Sequence, residues 1–468
     1  MKKIHIIGGG LAGPEAALQA AALGCEVTLS EMRPLRSTEA HQTADFAELV
    51  CSNSLKSESE NSAPWLLKQE MRRANSFLLQ AADASAVPAG HALAVDREIF
   101  SQRVAALIEQ HPRITIRREE VTELPAQDDG VITILASGPL TSSPLAQSLQ
   151  QLTGATHLAF YDSISPIVDA STIDMSRCYL AARWDKGTAD YINCPFTREE
   201  YDAFIDALTA AERVQAKPWE NVAHKSWEQI PDSSTPTTNH KSPTTNYFEG
   251  CLPIEETARR GRDTLRFGPM KPAGLTDPRT GRWPYACVQL RQENLRADSY
   301  NLVGFQNSLR FGEQARILRM IPGLENAKFL RYGQIHRNTY INAPTLLTET
   351  LQLKQHPHIL IAGQLSGVEG YTESIAGGLL AGRFAAALAH GRQPEPAPRL
   401  SANGSLTHYI THADARHFQP ANITFDLLLP LEDDLRKKIR DKKERHRIQC
   451  ERALAAWDSW LGKSLAPA

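Results

Sequence analysis

Cys51 lies in Phe46-Ala47-Glu48-Leu49-Val50-Cys51-Ser52-Asn53-Ser54-Leu55, 38 residues after the last glycine of the loop Gly8-Gly9-Gly10-Leu11-Ala12-Gly13. Cys251 sits far downstream in Phe248-Glu249-Gly250-Cys251-Leu252-Pro253. Ser52, Asn53 and Ser54 suit a loop or helix start, where a thiolate is stabilised. A glycine loop near the N-terminus suits a dinucleotide redox cofactor. Together they suggest chemistry in which a thiol and a redox ring act on one substrate. A free cysteine also packs well as a small buried residue, so the choice of Cys51 rests on its polar flank. The seven cysteines show no CxxC spacing, which argues against a disulfide framework or a zinc site. The other five have no such flank and read as structural.

Two strand–glycine–helix units and an acid-ended strand must position the cofactor. Ile4–Ile7 reads as a buried strand, and Gly8, Gly10 and Gly13 form GxGxxG ahead of an alanine-rich helix from Pro14 to Leu23. The first glycine permits the turn, the second lets a pyrophosphate approach, and the third allows close helix–strand packing. Glu26–Glu31 reads as the next strand. Glu31, 18 residues beyond Gly13, is placed to accept ribose hydroxyls. Far downstream, Ile359–Ile361 runs into a second glycine loop containing Gly363, Gln364, Gly370 and Tyr371, then into a small-residue helix from Ser374 to Arg383. A strand–glycine–helix unit returning to the first half favours FAD over a single NAD site.

Val131–Ala136 reads as a strand closing the first block, and Asp96 as a helix N-cap. Between about Tyr161 and Arg337 aromatics, prolines and arginines rise. The expected architecture is α/β: a Rossmann-type FAD-binding domain formed by residues 1–155 and 340–468, with an inserted α+β substrate and RNA-binding domain at 156–339. A polar stretch at about 220–246 reads as a flexible loop. Net charge is −2 over 468 residues, so any RNA site must be a local patch. One runs from Arg259 to Arg291, with eight Lys/Arg against two acids and Trp283 and Tyr285 interleaved for base stacking. A second basic segment, Arg436–Arg452, reads either as a surface helix with Trp457 and Trp460 packed inward or as a further RNA-binding stretch. No run of about 18 apolar residues is present, so no membrane helix is expected. The N-terminal apolar stretch ends too soon for a signal peptide, which makes a cytoplasmic protein the expectation.

A thiolate adding to carbon 6 of a uracil makes carbon 5 nucleophilic, and a base must later remove the carbon 5 proton. With a one-carbon donor and a reduced flavin, that chemistry uses a nucleophilic cysteine, a base and a dinucleotide site. Cys51 and Cys251 fit these roles only if the fold brings them together.

Nearly end to end, the chain resembles the folate- and FAD-dependent tRNA (uracil-5-)-methyltransferases, the TrmFO family of small GidA-like proteins. The resemblance rests on the Gly8–Gly13 loop with Glu31-Met32-Arg33-Pro34, the Phe46–Leu55 segment, Ala94-Val95-Asp96-Arg97 and Gly138-Pro139-Leu140-Thr141-Ser142. It continues through Tyr247–Glu255, Phe267–Pro272, Tyr332–Thr339 and Gly367–Ser374. It implies FAD, 5,10-methylenetetrahydrofolate as methylene donor, NADH or NADPH as reductant, and 5-methyluridine at position 54 of the tRNA T-loop as product. It implies that Cys51 and Cys251 are the catalytic pair, with Cys251 favoured as nucleophile and the roles exchangeable. It also implies that Tyr371 stacks on the flavin, that His336 lies against the pterin, and that Arg259, Arg260, Arg262 and Arg266 meet RNA phosphates. No membrane and no obligatory protein partner are implied. The alternatives are a ribosomal RNA uridine as target, or the longer GidA-type wobble-uridine flavoprotein. The chain departs from the family pattern in the long polar stretch at 220–246, in Pro14, and at His41, to which no role is given.

Overall fold

The computed structural model describes residues 2–38, 40–125, 130–155, 158–214 and 252–464, with the backbone alone at 158–163, 335–337 and 464. They form two compact units. One comprises residues 1–157, 293–295 and 339–468, the other 158–292 and 296–338.

In the first unit, β1 (Lys3–Ile7) leads into α1 (Ala12–Ala22) and β2 (Val27–Glu31). The apolar runs of these strands suit a parallel sheet covered on both faces. α2 (Ala63–Arg73) starts on Ser62, whose hydroxyl accepts the Trp65 N–H. α3 (Arg97–Glu109) starts on Asp96, which accepts the Ile99 N–H, the cap expected from sequence. β3 (Ile114–Arg118), β4 (Val131–Leu135) and β5 (Ile359–Ile361) complete a five-stranded parallel sheet in the order β5-β4-β1-β2-β3. This is a Rossmann-type order, with ligand loops at the carboxyl ends of the strands. α4 (Tyr371–Ala389) begins three residues earlier than the pattern suggested and packs on α1. A Cβ at Gly378 or Gly382 would overlap the carbonyl oxygen of Ala12 or Ala16, so the two helices approach backbone to backbone. α5 (Ala402–His412) starts on Ser401, and the last helix runs from Lys442 to Ser464. Trp457 and Trp460 are buried and stack at 4.8 Å, as expected.

The second unit is α+β. A six-stranded antiparallel sheet places Tyr179–Leu180, Ile192–Phe196, Ala286–Gln292, Ser299–Leu302, Ile167–Asp169 and Phe329–Arg331 side by side. Helix Arg198–Ala210, opened by a capping box between Thr197 and Glu200, buries Tyr201, Phe204 and Leu208 in the same core as Phe196 and Val288. Glu293–Leu295, expected within the insertion, cluster instead with the Rossmann unit. Arg97 pairs with Glu293 and Asp96 accepts the Leu295 N–H, which holds the segment there.

Candidate active site

β1 ends in a turn at Gly8, whose φ of +116° disfavours any side chain. A Cβ at Gly13 would overlap the Gly8 carbonyl oxygen, whereas one at Gly10 would meet nothing within 4 Å. The loop is thus closed on its strand side and open where a pyrophosphate needs to approach. No side chain caps α1 at Leu11, which leaves its first N–H groups and positive dipole end for an anion. Glu31 terminates β2. Its Oε2 accepts the Gly9 N–H at 2.6 Å, and its Oε1 accepts Arg33 N and Nε at 2.9 and 2.8 Å. Burial alone would raise this carboxyl, but Arg33 holds it below the usual carboxylate range. An ionised carboxylate bonded in this way keeps acceptor capacity for ribose hydroxyls. A small open cleft adjoins it, lined by Gly8, Ser30, Glu31, Glu119, Ser137 and Thr141. On these observations the residues fit a dinucleotide.

The second glycine loop follows β5. Gly363 (φ +70°) opens a helical turn to Ser366, Gln364 Nε2 donates to Glu369 Oε2 at 2.7 Å, and Gly370 (φ +112°) precedes α4. Tyr371, the first residue of α4, does something the sequence did not suggest. Its hydroxyl oxygen accepts the backbone N–H groups of Cys51 (2.6 Å) and Ser52 (3.2 Å). Burial pushes this hydroxyl far above its ordinary range, so it stays neutral.

The Cys51 loop is held from its other side too. Arg97 donates to the Leu49 carbonyl and forms an ion pair with Glu293 at 2.6 Å. Burial opposes the Arg97 charge, but Glu293 outweighs it and raises the pKa. Asn53, wholly buried, donates to the carbonyls of Val95 and Glu293. Cys51 is partly exposed, while Cys25, Cys178, Cys194, Cys287 and Cys450 are buried. Burial pushes the Cys287 and Cys450 thiols up to about 12, so these two stay protonated and inert.

Sequence reasoning did not single out Asn53, Arg97 or Glu293 as site residues. Asn53 and Arg97 lie in the Phe46–Leu55 and Ala94–Arg97 segments that carry the resemblance. Glu293, 196 positions away from Arg97, carried no local signal.

In the second unit, Cys251 and the 220–246 stretch lie outside the described residues, and His336 is described as a strand position only. Arg259 ends a short helix and pairs with Glu256 at 3.2 Å; Arg260 follows it. Arg262 forks onto Asp202 (2.9 Å) and Asp206 (2.5 Å). Arg266 pairs with Asp263 and covers the Tyr285 ring at 3.7 Å. The run that looked like uncompensated positive charge is therefore partly neutralised by nearby acids. Tyr285, expected to offer a face to a base, presents it to Arg266 instead. Trp283 is 50% exposed and meets Trp184, 53% exposed, edge to face at 5.2 Å. Trp184 has a φ of +62°, a strained conformation for a bulky residue.

Parallel sheet, paired glycine loops and acid-terminated β2 together define an FAD-binding Rossmann-type α/β fold of the flavoprotein class. The model of the glucose inhibited division protein A family matches residues 3–393. The chain is 64% identical over 99% of its length, and 98% of the relative's, to the "methylenetetrahydrofolate–tRNA-(uracil-5-)-methyltransferase TrmFO" of Koribacter versatilis. To the protein of the same description from Solibacter usitatus it is 59% identical over 98% of both chains. The solved structure of Aquifex aeolicus GidA superposes with a TM-score of 0.69 at 17% identity, covering 99% of this chain and 74% of that one. The chain belongs to the glucose inhibited division protein A family and, within it, to the TrmFO methyltransferases. Among the described residues no helix is long and apolar enough to cross a membrane.

Proposed function

We propose that the protein methylates carbon 5 of the T-loop uridine at position 54 of tRNA, taking the carbon from 5,10-methylenetetrahydrofolate, with NADH or NADPH reducing the bound flavin. The observation that carries this reading is 64% identity along nearly the whole chain to a relative named for that donor and base. FAD, when bound, supplies the electrons that reduce the transferred carbon to methyl.

The chain's own residues do the rest. Gly8–Gly13 and the α1 N-terminus hold the pyrophosphate, Glu31 holds the ribose, and the segment of Gly363, Gln364, Gly370 and Tyr371 borders the rest of the dinucleotide. Tyr371 also fixes the backbone of Cys51. Cys251 adds to carbon 6 of uracil and Cys51 takes the carbon 5 proton; mapping the covalent adduct separates this assignment from the exchanged one. His336 contacts the folate. Arg259, Arg260, Arg262 and Arg266 bind RNA phosphates, with Arg259, Arg262 and Arg266 exchanging carboxylate partners for phosphate, and Trp184 and Trp283 offer open rings to unpaired bases. No protein partner is needed for turnover.

The test supplies purified protein with FAD, NADPH, an unmodified tRNA transcript and methylene-labelled folate, followed by nucleoside digestion. Label in 5-methyluridine, and none when S-adenosylmethionine replaces folate, is the expected result. NADPH oxidation without labelled nucleoside would overturn it.

A further inference from the structure

We propose that Glu349, His408 and His412 form a binding site for one divalent transition-metal ion of the zinc class, on the Rossmann unit and outside the flavin loops. His408 and His412 lie one turn apart on α5, so both side chains share a helix face. Their imidazole rings stack with centroids 4.2 Å apart and planes 16° apart. Glu349, from the turn ahead of β5, places Oε1 3.2 Å from His408 Nδ1 and 3.7 Å from His412 Nδ1. One ligand atom from each residue lies within 4.8 Å of the others. Donors on one tetrahedral ion, at bonds of about 2.0–2.2 Å, sit roughly 3.5 Å apart, so modest side-chain rotation closes the set.

The set offers two imidazole nitrogens and one carboxylate oxygen, the donor types that a zinc-class dication takes. Among the described residues no Lys or Arg forms an ion pair with Glu349. Arg399 feels its charge but donates to Ser405 Oγ at 2.7 Å. The three side chains are 38–50% exposed, which leaves room for a water as fourth ligand. Imidazole with carboxylate selects zinc, cobalt, nickel or copper over magnesium and calcium.

The ion would tie α5 to a defined turn. Thr348 N–H donates to the Gln352 carbonyl at 3.0 Å, and Leu347 bridges Leu353, whose N–H donates to Ile359 at the start of β5. The clamp would hold the segment that enters β5 and the Gly363 loop.

The test titrates full-length, FAD-loaded, chelator-stripped protein with zinc chloride by calorimetry, with nickel and magnesium chloride in parallel. One equivalent of zinc or nickel binding, no magnesium binding, and a rise in Tm with zinc are expected. His408→Ala and His412→Ala each weaken binding at least about tenfold, and Glu349→Gln weakens it less. The exposed His412→Ala is expected to fold and bind FAD as the parent does. Absence of stoichiometric zinc binding, or equal affinity in the His408→Ala/His412→Ala double variant, would overturn the proposal.

Discussion

In the Rossmann unit Glu15 and Glu70 are wholly buried and meet backbone N–H groups, at Leu78 for Glu15 and at Ala402 and Asn403 for Glu70. Lys68, also buried, donates to the carbonyls of Leu55, Lys56 and Ser57, and Arg97 donates to that of Leu49. In the inserted unit Glu255 is likewise buried and accepts the Ser308 N–H, but the charges along the basic run and on the neighbouring helices pair with one another near the surface, as in Arg262 with Asp202 and Asp206, or Arg316 with Glu313. A buried charge aimed at the backbone fixes where a loop sits, because moving it leaves a desolvated group unsatisfied. A solvated pair fixes little and exchanges partners readily. The first arrangement suits a preorganised cofactor site, and the second suits a face that must accept a large polyanion.

Variants in the two units should separate these roles. The largest effect is expected from Gly13→Ala, whose Cβ overlaps the Gly8 carbonyl oxygen. Purified protein should carry almost no flavin absorbance, and normal flavin content would break the assignment of the loop. Cys51→Ser should lower methylation at least about 10²-fold while flavin content and RNA affinity hold. Parent-like turnover would remove Cys51 from the chemistry.

Tyr371→Phe takes the acceptor from the half-buried N–H groups of Cys51 and Ser52, which costs about 1 kcal/mol. Turnover should fall roughly tenfold or more, with RNA affinity unchanged. In the other unit, Trp283→Ala should weaken RNA binding about tenfold without altering flavin content or NADPH oxidation. Unchanged RNA affinity would move the RNA face elsewhere.

The smallest effect is on stability. Burial raises the carboxyls of Glu15 and Glu70 to about 7 from 4.5. The native state therefore holds these protons more tightly than the unfolded chain does. The resulting stabilisation is complete below about pH 4.5 and is lost as pH rises through about 7. The fall in Tm between pH 6 and 8 should shrink in Glu15→Gln and in Glu70→Gln, and an unaltered slope would contradict the burial argument.

The glycine loops, Glu31 and the alternation of strand and helix were legible because their requirements are local. A turn, a close approach or a strand end falls within a few residues of its cause. The Asp96 cap and the inward tryptophans were legible for the same reason. The support of Cys51 was not, because Tyr371, Arg97 and Glu293 reach it only through the fold. The acidic partners of the 259–291 run were not legible either, since Asp202 and Asp206 reach Arg262 from a helix some sixty positions earlier. Trp184 gave no signal, because nothing in its neighbours foretells a positive φ.

The most direct measurement uses tRNA carrying 5-fluorouridine at position 54, incubated with the FAD-loaded protein and methylenetetrahydrofolate, then digested for peptide mass mapping. Fluorine at carbon 5 cannot leave as a proton does, so the thiol adduct at carbon 6 should persist. The account predicts a covalent protein–RNA species mapping to Cys251 and absent from Cys251→Ser. An adduct on Cys51 would exchange the two roles, and no adduct under conditions where unsubstituted tRNA is methylated would contradict thiol addition altogether.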